Sequence, residues 1–117
     1  MRKFKLIALT TPVAGKEKEF HAWYKDTHLP QLVSFAGMKG AQRYKLTQKM
    51  IGSDSNPWLA IYDIETDDPM AFLGAVGAAA AAGKLTQTTA SDMATTYTAL
   101  FEEYGERCLP HSRGVKA

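Results

Sequence analysis

The chain has a single cysteine, Cys108, so no disulfide can form within it and packing must hold the fold together. A lone thiol also suits a reducing compartment. The apolar run MAFLGAVGAAAAAG, residues 70–83, is mostly alanine and too short to span a bilayer. There is no basic stripe or arginine-rich segment, and the formal net charge is only +2, so charge makes no case for nucleic acid. No glycine-rich phosphate loop is present. The histidines and the cysteine lack metal-ligand spacing: His21 and His28 are seven positions apart, and His111 lies near the end. The start, MRKFKLIALTT, has no adequate apolar h-region or small-residue cleavage site and reads as a strand. These absences predict a cytoplasmic protein without a membrane or nucleic-acid partner.

What is present is ordinary in bulk and patterned in detail. With 117 residues, 45% hydrophobic and 22% charged, the composition predicts one globular domain over residues 1–107, with a loose C-terminal tail at 108–117. KFKLIALT, residues 3–10, alternates and then turns apolar on both faces, as a central strand does. After TPVAG the period changes. Glu17 and Glu19 fall in a first helical turn, and Phe20, Trp23, Tyr24 and Thr27 follow helical spacing. Pro30 is expected to end or kink this helix around His28, with one or two further turns up to Gly37. KGAQRYKLTQKM and PWLAIYDIET read as two strands joined through the turn GSDSNP. Asp68-Pro69 is a helix start, an N-cap followed by proline. That second helix is predicted to halt near Gly83, before the polar loop KLTQTTASD and a fourth strand in MATTYTALFEEY.

The order β-α-β-β-α-β predicts an α+β, ferredoxin-like antiparallel sheet with both helices on one face. The first and third strands are nevertheless apolar on both sides. Phe4, Leu6 and Ala8 oppose Ile7 and Leu9; Trp58, Ala60 and Tyr62 oppose Leu59 and Ile61. Two helices cover one face only, so a second copy of the chain is expected on the other. The expected assembly is a homodimer.

Chemistry concentrates in EFHAWYKDTHLPQL, residues 19–32. His28 lies four residues after Tyr24, on one helical face, at an expected helix C-terminus where the dipole favours a protonated ring. It is either a proton-transfer group or a cap on the last carbonyls. Tyr24 either orients His28 or is a half-buried aromatic. Trp23 is core or pocket wall. His21 and Asp26 are expected to be solvated. Arg43 and Tyr44 must point to opposite faces of their strand. Alternation groups Tyr44 with Gln42 and Leu46, making it the pocket candidate and leaving Arg43 for the pocket or a dimer seam. Tyr62 and Tyr97 occupy apolar-set positions and complete a phenol-rich wall. The alanine run either lets its helix approach the sheet closely or leaves open volume beneath it.

This segment, followed by GMKGAQRYKL, resembles the dimeric α/β-barrel superfamily, and within it the small EthD-like and monooxygenase-like proteins. In such proteins a W-Y-x-x-x-H-x-P segment closes the first helix and an R-Y pair lies on the next strand. Trp23, Tyr24, His28, Pro30, Arg43 and Tyr44 match that pattern. The resemblance implies sheets paired back to back into a barrel, with a pocket between each sheet and its helices. It also implies activities ranging from cofactor-free oxygenation to lactone isomerisation, polyketide cyclisation and haem chemistry. The expectation is a cofactor-independent enzyme working by proton transfer on an aromatic or polyketide-like small molecule. His28 and Tyr24 would be catalytic, and Trp23, Arg43, Tyr44, Tyr62 and Tyr97 would bind substrate. Cofactor-free oxygenation and non-catalytic ligand binding are the alternatives.

Overall fold

In the computed structural model, which describes residues 1–110, four strands form one open antiparallel sheet. Strands β1 (Arg2–Thr10), β2 (Met38–Lys45), β3 (Trp58–Thr66) and β4 (Tyr97–Glu102) lie in the order β2-β3-β1-β4. The two most apolar strands are therefore central, where both of their edges are hydrogen-bonded. The chain is α+β, and this arrangement is compatible with a ferredoxin-like fold. His111 and most of the expected tail lie outside the described residues.

One face of the sheet carries the core. Phe4 and Ala8 of β1 lie beside Ala60, Tyr62 and Ile64 of β3 and pack against Phe20, Tyr24, Leu32 and Phe72 from the helices. Phe20 is fully buried and touches Tyr24 edge to face at 5.1 Å. The helix α3 (Pro69–Ala81) begins as its sequence predicts, with Asp68 Oδ1 accepting from the Ala71 amide at 3.0 Å. Its alanines do not press against the sheet. Phe72 is its buried anchor, and Ala75, Ala78 and Ala79 line a groove facing the second half of the first helical segment.

Pro30 does not end the first helical segment. Helix α1 (Glu17–Trp23) continues through a π-helical turn (Tyr24–His28) into α2 (Leu29–Val33). The reason is local. A proline inside an α-helix lacks one N–H and its ring clashes with the carbonyl four residues back. Here Leu29 N–H reaches Tyr24 O, five residues back, and Pro30 then occupies the first turn of a fresh α-helical stretch. An N–H is superfluous there. A break around His28 followed by a further turn matches the expected kink, while the π-turn that makes it has no signature in the sequence.

Among the described residues, no helix covers the opposite sheet face. Ile7 and Leu9 of β1, Leu59 and Ile61 of β3, and Ala99 of β4 are only half-buried. Tyr44, Tyr97 and Phe101 on the same side are exposed. Toward the other end this face turns charged, with Lys5 paired to Asp63. Among the described residues no helix is long and apolar enough to cross a membrane.

Candidate functional site

The π-turn determines which side chains meet. In an α-helix, residues five apart diverge around the axis; the wider turn brings them back together. Trp23 and His28 consequently stack, with ring centroids 4.2 Å apart and planes 18° from parallel. Tyr24 presents an edge to His28 at 5.2 Å, and Tyr62 rises from β3 to 6.3 Å from the same imidazole. Three aromatic rings thus enclose His28.

This cluster forms one wall of a cavity of about 180 Å³ between the helical segment and the sheet. Ala8, Thr10 and Thr98 supply its floor from β1 and β4. The far side comes from the loop after α3, through Thr88, Ser91, Met93 and Thr96. That loop is latched to the helices. Trp23 Nε1 donates to Thr86 O at 2.9 Å, while the Gln31 amide receives the Thr86 N–H and donates to Thr86 Oγ1. Its other end is held by backbone bonds from Val13 N to Ala90 O and from Asp92 N to Thr11 O. Asn56 ties in the β2–β3 loop, accepting from Thr11 Oγ1 at 2.6 Å and donating to Thr95 O at 2.8 Å.

Burial dominates the electrostatics. It lowers the pKa of His28 to about 4, so the ring is neutral at pH 7. A dipole argument for a protonated ring fails because the helical segment does not end at His28. Burial pushes the phenols of Tyr24 and Tyr62 upward, and both stay protonated. Tyr62 Oη is buried without a hydrogen-bond partner among the described residues. It lies near enough to the Tyr24 hydroxyl for each to influence the other's ionisation, but the two do not form a hydrogen bond of normal geometry. Nor does any hydrogen bond join Tyr24 to His28; their contact is ring edge to ring. A neutral imidazole, a protonated phenol and several hydroxyls facing a small cavity can accept a proton and hydrogen-bond an oxygen-bearing ligand.

The expected wall assembles only in part. Trp23, Tyr24 and His28 line the cavity, and Tyr62 sits behind them. Tyr97 does not join: it pairs with Leu9 on the open face and is 47% exposed, while its neighbour Thr98 faces the cavity. Tyr44 is also on the open face, and Arg43 points toward the helices instead. The alternation argument failed because both sheet faces are apolar, so polarity could not tell them apart. Arg43 is accommodated by aromatic rings and by His21, whose Nδ1 lies 3.0 Å from its Nη2. His21 is accordingly not simply solvated, whereas Asp26 is exposed as expected. Thr10, Ser91, Thr96 and Thr98 escaped the sequence reading, since isolated hydroxyl residues in strands and loops carry no motif.

No three His, Cys, Asp or Glu side chains cluster among the described residues. No family model, curated protein or solved structure matches this chain.

Proposed function

We propose that the chain is a small-molecule enzyme of dimeric α/β-barrel type that moves protons without an added cofactor. Its substrate is a hydrophobic aromatic or polyketide-like compound carrying a carbonyl or phenolic oxygen. The observation that carries this reading is a neutral His28, stacked on Trp23 at the wall of a hydroxyl-fringed cavity. A volume of about 180 Å³ lies below the ~300–1,000 Å³ of drug-sized pockets, so a single-ring portion enters and the remainder extends from the mouth.

Chemically, the His28 lone pair accepts a proton from a carbon next to the substrate carbonyl. The C–H electron pair becomes the enolate double bond, and charge moves onto the carbonyl oxygen. Tyr24, whose phenol stays protonated, donates a hydrogen bond to that oxygen, with Thr10 and Thr98 available beside it. Return of the proton at another atom gives isomerisation; departure of a β-substituent gives elimination. The resemblance to EthD-like and monooxygenase-like proteins supports the same placement of the pocket. Exposed Cys108 is compatible with a reducing, cytoplasmic setting.

One observation favours a second reading, a ligand-binding accessory protein. A pKa near 4 makes His28 a weak base. Exchange of carbon-bound hydrogen in D₂O separates the two. Aromatic ketones and short polyketide-like diketones that bind should lose α-protons at least ~10²-fold faster with the wild type than with His28→Gln, with binding retained in both. Ligands that bind without any accelerated exchange would leave only the accessory reading.

A further inference from the structure

Arg43 lies over the ring of Tyr24 without lining the cavity, and its surroundings are unusual for a cation. Its guanidinium carbon lies 4.5 Å from the ring centre of Tyr24, 5.1 Å from Trp58 and 5.6 Å from Phe20. Among the described residues, the one side chain hydrogen-bonded to it is His21, at Nδ1. Guanidinium nitrogens only donate, so Nδ1 must accept and the ring proton resides on Nε2, on the side of the ring turned away from Arg43. No carboxylate among the described residues pairs with Arg43; the ion pairs there are Arg2 with Glu102 and Lys5 with Asp63. Glu17 is close enough to act on His21, but its carboxylate is turned back onto the Gly15 amide at 2.7 Å. Lys45, two residues along β2 and on the same face, has no ion-pair partner there either.

A guanidinium taken partly out of water is normally matched by an anion, because π-faces and a neutral acceptor do not cancel its charge. Arg43 remains partly accessible, and most of its donor fork is unused. We infer that Arg43, oriented by His21, forms a carboxylate-binding site, separate from the cavity, for a small organic acid. Arg43 supplies the fork, His21 Nδ1 fixes its orientation, and Lys45 adds attraction at the rim. The inference does not depend on the proton-transfer reading, since neither Arg43 nor His21 lines the cavity.

Benzoate and acetate at low ionic strength are suitable probes, followed by NMR of the His21 ring. Saturable shifts are expected. The His21 titration midpoint, which burial and the Arg43 charge hold below its usual value, should rise when the anion binds. Arg43→Gln should abolish the effect. Arg43→Lys should weaken it at least ~10-fold, because an ammonium lacks the planar fork. His28→Gln should leave it intact. The inference is overturned if neither probe saturates, if binding survives Arg43→Gln, or if His28→Gln removes it, which would assign the anion to the cavity. It is also overturned if Arg43→Gln changes the molecular mass in light scattering while benzoate still fails to bind wild type, since the carboxylate would then come from a second copy. Should Arg43→Gln not fold, Arg43→Lys and His21→Gln carry the same comparison.

Discussion

His28 shows how one side chain changes meaning once its surroundings are known. Sequence spacing placed it four residues from Tyr24 and within reach; the fold also places Trp23 flat against it. Burial lowers its folded-state pKa to about 4, below an unfolded value near ~6.5. Between those values the unfolded chain binds more protons, so stability falls as pH drops from about 6.5 toward 4. The full difference is on the order of 3 kcal/mol. Urea midpoints at pH 7, 5 and 4 should drop markedly in the wild type and much less in His28→Gln. Equal slopes would mean that the ring titrates normally. Any proton-abstraction activity should follow the same group, staying level above about pH 5 and declining as His28 is protonated. Tyr62 makes a complementary point. Its buried hydroxyl has no partner among the described residues, a situation that costs about 1–3 kcal/mol. Tyr62→Phe should therefore melt at the same temperature or higher, and a clear loss of stability would show that the hydroxyl is satisfied in solution.

At the scale of elements, the first helical segment and the loop after α3 form the site together. The loop has little apolar content of its own; Ala90 is its buried residue, and polar bonds from Trp23 and Gln31 hold it in place. Such a segment opens locally at a fraction of the global unfolding energy. Trp23→Phe keeps a ring against His28 but removes the indole N–H, and Gln31→Ala removes both bonds to Thr86. Each should cost about 1 kcal/mol and raise amide hydrogen exchange through residues 86–96, with the sheet core unaffected. Unchanged exchange in that loop would show that the backbone bonds at Val13 and Asp92 suffice. The sequence marked this segment as a polar loop, but its role as the far wall of a cavity depends on partners more than fifty residues away.

For the whole molecule, the open sheet face is the dominant feature. Half-buried Ile7, Leu9, Leu59 and Ile61 with exposed Tyr44, Tyr97 and Phe101 make an apolar surface, flanked by a charged end carrying both signs. We propose that a second copy covers it, pairing the sheets back to back, with Tyr44 and Tyr97 serving that contact. Light scattering at micromolar concentration should return twice the monomer mass. Ile61→Asp, on the open face, should give a monomer that retains its secondary structure. A wild-type monomer mass across concentrations would remove the barrel.

Legibility in the sequence followed the range of the interactions involved. Local physics is written in the chain: the Asp68-Pro69 helix start, the strand positions, the two-sided apolarity of β1 and β3, and the density of titratable and aromatic residues around His28. Each depends on neighbours a few residues away, through dihedral preference, capping or period. Which face Arg43 or Tyr97 takes was not written there, because apolar residues on both sides of the sheet make the two alternations equivalent until the helices choose one. A kink and a further turn beyond Pro30 were legible, but the π-turn that carries the chain there was not, since it has no spacing signal of its own. The tertiary structure alone decided that His28 is neutral, because desolvation depends on Trp23, Tyr24 and Tyr62 closing around the ring, two of them from its own helical segment and one from a strand that the chain reaches thirty-four residues later.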